Sequence, residues 1–130
     1  MIRLSATRAS VGKFYRAAPL SVWGLITDTF QWPRWGPTVK SVQCSDRFIR
    51  RGSRGQVFTP PGIRLPFVVT EYEYARFWSW EVATLKATGH HLQAIESGGC
   101  YLWFDMPLIA LPYAVICRMA LNRIEGLLTE

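Results

Sequence analysis

His90 and His91 are the only imidazoles in the chain, and they are the first residues to weigh as proton-transfer groups. Histidine titrates near neutrality, so it can act as general acid or base, or hydrogen-bond a ligand carbonyl. Adjacent strand residues point to opposite faces, so at most one of the two enters a cavity. A solvent-facing pair near a strand end is the plainer reading and the preferred one. Tyr72 is the third candidate acid–base group. Glu71, Glu73 and Glu81 would become bases near neutrality if apolar neighbours raised their pKa. Glu71 and Glu73 alternate in phase with Phe67 and Val69, while Val68, Thr70, Tyr72 and Tyr74 make the better cavity lining. The glutamates are therefore expected outside, paired with arginines on neighbouring strands. No His/Cys/Asp/Glu group has metal-ligand spacing, and no P-loop, dinucleotide fingerprint, Ser-His-Asp set or nucleophile elbow occurs. No metal or cofactor is expected.

Aromatic residues are the stronger chemical feature. They make up 14% of the 130 residues, with six Trp, in a chain that is 49% hydrophobic. Tyr72, Tyr74, Trp78, Trp80 and Trp103 are candidate walls of a ligand site, with hydroxyl and indole N–H groups to orient a bound carbonyl or hydroxyl. The alternative is that these rings fill the core. The net charge is +6, and Arg47, Arg50, Arg51, Arg54 and Arg64 lie in an acid-free segment, 47–64. Clustered arginines grip phosphates. Without interleaved aromatics or an RNA-binding motif, a solvated hairpin end is expected, and nucleic acid is not the expected partner. Cys44, Cys100 and Cys117 form no C-x-x-C pair and read as free thiols. No apolar run approaches the roughly 20 residues of a membrane helix. A cytoplasmic protein with one domain over 1–130 is expected.

The elements that must position these groups follow from periodicity and breakers. Arg3 to Arg16 reads as one long strand, with Gly12 as a bulge. Pro19 suits a first helical turn, and Val22, Trp23 and Ile26 share a stripe. A second short helical turn follows, broken by Pro33, Gly36 and Pro37. Val39 to Phe48 and Gly55 to Thr59 read as strands about a turn at Gly52–Ser53, and Thr59-Pro60-Pro61-Gly62 is a turn. Arg64 to Tyr74 and Arg76 to Leu85 read as strands, the second with Trp78, Trp80 and Val82 on one face. His91 to Glu96 and Cys100 to Asp105 form a hairpin across Ser97-Gly98-Gly99. A C-terminal helix starts at Pro112, with Tyr113, Ile116, Cys117, Ala120, Ile124, Leu127 and Leu128 on its apolar side and Arg118, Asn122 and Glu125 opposite. The sum is an α+β domain with the helix resting on a sheet.

The pattern Pro19-x-x-x-Trp23 followed by Asp28-x-x-x-Trp32-Pro33-x-Trp35-x-Pro37-x-Val39 resembles the N-terminal helix pair of the polyketide cyclase/dehydrase branch of the START-like (SRPBCC) superfamily. The turn Ile49 to Gly55, Trp78-Ser79-Trp80, and Thr88-Gly89-His90-His91-Leu92 follow in that family's order. The resemblance implies a helix-grip fold: a curved seven-stranded antiparallel sheet wrapped around the C-terminal helix, two short helices after strand 1, and an apolar cavity between.

The expected function is binding of a small hydrophobic molecule, such as a lipid, polyketide-like or aromatic compound. Tyr72, Tyr74, Trp78, Trp80 and Trp103 on the sheet and Ile116 and Ala120 on the helix are the candidate contacts. Large rings facing small helix residues leave a gap, which is what an apolar pocket requires. The alternatives are a cyclase/dehydrase using His90, His91 or Tyr72 as acid–base groups, and an interaction module docking on RNA or the ribosome through the basic edge.

Overall fold

The computed structural model describes residues 2–5 and 7–129. Its strands are β1 (Ile2–Leu4), β2 (Arg8–Tyr15), β3 (Ser41–Cys44), β4 (Arg54–Phe58), β5 (Arg64–Glu73), β6 (Phe77–Val82), β7 (Leu85–Ala94) and β8 (Cys100–Pro107). Helices α1 (Pro19–Thr27) and α2 (Trp32–Trp35) lie between β2 and β3. A 3-10 helix, Leu108–Tyr113, leads into α3 (Ala114–Leu128). The strands form one open antiparallel sheet in the order β1-β2-β8-β7-β6-β5-β4-β3. The helix pair carries the chain from β2 to the far edge, and a meander then returns it to β8 beside β2. The result is an α+β fold with the C-terminal helix laid against the sheet.

The sheet has eight strands rather than seven, because the single strand expected over Arg3–Arg16 is a hairpin. The Ser5 N–H donates to the Arg8 carbonyl and Ser5 Oγ accepts from the Arg8 N–H, so β1 folds back onto β2. Gly12 is not a bulge. It pairs in register with Trp103, and a Cβ there would sit 2.3 Å from the Trp103 ring, so glycine is needed for close approach. The strand expected over Val39–Phe48 shortens to Ser41–Cys44.

Bulges occur instead in the centre. The β5–β6 register shifts between Val69 and Glu71, and the β6–β7 register between Ser79 and Glu81. An inserted residue restarts the alternation on its strand. Phe67 and Val69 are therefore buried on the inner face, and after the shift Tyr72 packs on Trp23, also inward. The lining expected from Val68, Thr70, Tyr72 and Tyr74 in phase is thus overturned. Glu71 and Glu73 do lie outside, but Glu71 accepts from Ser79 Oγ at 2.8 Å and Glu73 pairs with Arg76 in the following turn, rather than with arginines across strands.

β6 stops at Val82, not Leu85. Ala83 and Thr84 both take positive φ, 51° and 68°, and make a two-residue hairpin turn into β7. Such turns favour Asn-Gly, because side chains with a Cβ are strained at positive φ, β-branched ones most of all. The turn was therefore invisible to residue preference.

α3 begins at Ala114 rather than Pro112, which sits inside the 3-10 helix. Ala114, Cys117, Ala120, Leu121 and Ile124 are buried, and Arg118, Asn122 and Glu125 are exposed. Ile116, Leu127 and Leu128 are half-buried, and Tyr113 is exposed. The apolar side therefore turns toward Leu121. α3 packs on β2, α1 and α2, and Tyr15 Oη donates to the Leu121 carbonyl at 2.6 Å from within the core.

Two outcomes follow. Ile124 is fully buried, so Ile124→Asp places a charge without a partner and should cost more than about 4 kcal/mol, while Arg118→Asp should stay within about 0.5 kcal/mol. Equal melting temperatures for the two would mean that the buried stripe lies elsewhere. Replacing Ala83-Thr84 by Asn-Gly should raise unfolding free energy by about 1–2 kcal/mol in urea titrations, by relieving the positive-φ strain.

Candidate functional site

Pro19 at the first helical position and the buried stripe of Val22, Trp23 and Ile26 set α1 against the sheet. Its last carbonyls are met from α2: Trp32 Nε1 donates to the Ile26 carbonyl at 2.9 Å and Trp35 Nε1 to the Leu25 carbonyl at 2.8 Å. Pro33 lies between the two indoles at a helix start, where it is tolerated. Held by these bonds, Trp32 stacks on Trp78 with centroids 5.4 Å apart and planes 3° apart, and meets Trp80 edge-on at 5.3 Å.

These rings form one wall of a cavity of about 680 Å3 between the sheet and α3. Trp78, Trp80 and Val82 come from β6, Phe104 and Met106 from β8, and Val57 and Leu65 from the far side of the sheet. α3 contributes Ile116, Cys117 and Ala120. Indoles thus face an alanine and a cysteine, and the space between stays open. The exposed lining, Leu85, Lys86, Ile109 and Tyr113, marks the side that meets solvent. Burial pushes the Cys117 thiol up to about 12, so it is an inert apolar surface there.

The preferred solvent-facing reading does not hold for His90, which is buried and belongs to this cavity. His90 stacks on Trp78 at 3.8 Å, and its Nδ1 lies 3.2 Å from the Trp78 carbonyl. A carbonyl only accepts, so Nδ1 carries the proton and Nε2 is left as an acceptor. Nε2 faces Thr88 Oγ1 at 3.4 Å, and that hydroxyl accepts from Trp80 Nε1 at 3.0 Å. Burial drives the His90 pKa down to about 3, opposed only in part by the Trp78 carbonyl and the Asp105 charge. His90 is therefore a neutral hydrogen-bonding group at pH 7.

His91 points to the opposite face. Its Nε2 bonds Asp105 Oδ2 at 2.6 Å, and its ring lies 4.4 Å from that of Phe77. Asp105 also binds Arg8 and accepts from the Gly89 N–H at 3.1 Å. A Cβ on Gly89 would stand 2.5 Å from the carboxylate, so glycine admits it. Burial raises the Asp105 pKa, but the bonds and charges of His91 and Arg8 outweigh it and leave it at about 2.

Of the residues singled out from the sequence, Trp78, Trp80, Ile116, Ala120 and His90 come together at the cavity. Tyr72 and Tyr74 instead flank Trp23, with Tyr74 largely exposed. Trp103 lies over Gly12 with the Arg3 guanidinium 4.1 Å from its ring, on the face away from the cavity. Sequence reasoning left out Trp32, Trp35, Phe104, Met106 and Thr88. The signal for the first two was their spacing about Pro33, two indoles one turn apart with carbonyls of a preceding helix in reach. In the basic segment, Arg47 makes a two-pronged pair with Asp28 at 3.0 Å for each bond and Arg50 pairs with Asp46, while Arg51, Arg54 and Arg64 are exposed. Among the described residues, no group of three or more His, Cys, Asp or Glu could hold a metal ion. No described helix is long and apolar enough to cross a membrane.

These pKa shifts predict two windows of pH-dependent stability. His90 is neutral when folded but binds a proton below its ordinary 6.5 when unfolded. Its contribution is complete above pH 6.5 and is lost toward pH 3, at about 1.4 kcal/mol per pH unit. Asp105, lowered from 3.8, stabilises above that value, and this contribution is lost as pH falls to about 2. Urea unfolding at pH 7, 6, 5 and 4 should show the first slope in the wild type. The slope should flatten in His90→Phe; an unchanged slope would place the responsible proton elsewhere.

No protein-family model matches the chain, and no curated protein sequence does. Solved structures do match its fold. It is similar to the protein MLL2253 from Mesorhizobium loti, with a TM-score of 0.76 at 16% identity over 94% of this chain and 96% of that one. XoxI from Bacillus cereus gives 0.73 at 13% identity, over 95% and 96%. Ms6760 from Mycobacterium smegmatis gives 0.73 at 17% identity, over 99% and 96%. At such identities the likeness is one of fold.

Proposed function

We propose that this chain is a START-like (SRPBCC) helix-grip domain of the cytoplasm that binds a small hydrophobic molecule between its sheet and C-terminal helix. The observation that carries this reading is the 680 Å3 cavity walled by indoles on the sheet side and by Cys117 and Ala120 on the helix side. That volume lies in the range of drug-sized ligand sites, roughly 300–1,000 Å3. The wall residues are mostly aromatic and aliphatic, so transfer of an apolar molecule from water supplies the driving force. Acid–base catalysis has less support. A base of pKa about 3 holds a proton too weakly for general base work near neutrality.

Panels of fatty acids, sterols and polycyclic aromatics test the proposal. A ligand at 100 times its Kd should quench tryptophan fluorescence and raise the melting temperature by on the order of 10 °C. Ala120→Phe fills the space opposite the indoles and should abolish both signals while the protein stays folded. A panel in which no compound moves either signal would remove the binding reading.

A further inference from the structure

The cavity is apolar but not featureless, and its hydrogen-bonding inventory specifies the ligand more narrowly. The indole N–H groups of Trp32 and Trp35 are taken by α1 carbonyls, and that of Trp80 by Thr88. The hydroxyls of Thr38 and Tyr113 bond each other at 3.0 Å, and Thr59 Oγ1 is engaged in its own turn. Two groups remain. His90 Nε2 is an acceptor whose partner, Thr88 Oγ1, stands at 3.4 Å, long for a good hydrogen bond. Trp78 Nε1 is a buried donor with no partner among the described residues, on the ring that stacks against His90. His90 and Trp78 are only 3% and 1% exposed, so neither is freely solvated, and both line the cavity, from which a ligand would meet them.

On the reading of the cavity as a ligand site, we infer that the ligand is an uncharged ring compound bearing a hydroxyl group, which donates its proton to His90 Nε2. An acceptor nitrogen calls for a donor, and an unpaired indole N–H calls for an acceptor; a hydroxyl is the smallest neutral group that is both. A carbonyl or ether cannot donate to Nε2. A carboxylate or ammonium beside His90 would lie without a countercharge, since among the described residues the one charged member of the lining, Lys86, lies at its exposed side. The flat stack of Trp32, Trp78 and His90 favours a planar ring against it.

The test compares 2-naphthol with 2-methoxynaphthalene, which keeps the oxygen but has no proton to donate. Equilibrium dialysis against wild type should give about tenfold tighter binding of the naphthol. In His90→Phe, which keeps a ring beside Trp78, the preference should fall below about twofold while the ether still binds. In Thr88→Val, which leaves Nε2 without its only competitor, the tenfold preference should persist or widen. Equal binding of the two probes to wild type overturns the hydroxyl assignment and leaves the cavity reading intact. A tenfold preference that survives in His90→Phe overturns it too, since the ether would then be disfavoured by bulk alone. If neither probe binds, the planar-ring assignment falls and takes this inference with it, while the fatty-acid and sterol arms of the panel decide the cavity reading.

Discussion

The end of a helix leaves its last carbonyls without partners inside it, and where those of α1 find theirs organises the rest of this protein. The Gly24 carbonyl accepts from the Asp28 N–H and the Thr27 carbonyl from the Ile49 N–H, while Leu25 and Ile26 accept from the indoles of Trp35 and Trp32. All four lie in or beside the core, where a carbonyl left unpaired costs about 1–3 kcal/mol. α2 is a single helical turn with little stability of its own. It is held because its two large side chains satisfy another helix's orphan groups. Asp28, just past the end of α1, receives Arg47 from the loop before β4, which ties the far edge of the sheet to the same corner.

That anchoring also explains why the space beneath α3 does not collapse. An indole free to rotate would swing into a void, since empty space forfeits dispersion contacts. Trp32 and Trp35 are pinned by N–H bonds pointing away from the cavity, and Trp80 by Thr88. Trp78 is held between Trp32 and His90 by stacking. With the rings fixed on the sheet side, Cys117 and Ala120 are too short to reach across from the helix. A cavity formed in advance spares a ligand the cost of ordering its own walls.

Much of this was legible from the sequence, and the failures have definite causes. The helix pair, the meander of strands after it and the C-terminal amphipathic helix follow from breakers and periodicity, and so does the separation of His90 from His91. Side-chain direction failed on β5, where the bulge restarts the alternation, because the inserted Thr70 leaves no compositional mark. The Ala83-Thr84 turn failed because neither residue favours positive φ, so tertiary pairing of Val82 with Leu85 overrides local preference. Trp103 failed for a different reason: its strand was read correctly, but Gly12 on β2 opens a slot for its ring on the outer face. Leu102, Phe104 and Met106 take the inner face, so the alternation of β8 itself puts Trp103 on the outer one.

The sheet also sorts its chemistry by face, and that sorting bears on what the cavity does. A histidine working as a base is ordinarily held and polarised by a carboxylate on its second nitrogen. The chain contains this arrangement, His91 with Asp105 and Arg8, but on the face away from the cavity. The histidine on the inner face has a backbone carbonyl in place of the carboxylate and sits in surroundings that resist its protonation. Adjacent residues of one strand cannot exchange faces without a one-residue slip in register, which would also carry the inner apolar residues of β7 and β8 outward. Burial of Leu92, Leu102, Phe104 and Met106 opposes such a slip. The core packing that builds the cavity therefore also keeps the carboxylate-backed imidazole out of it, leaving inside a neutral imidazole whose surroundings oppose its protonation.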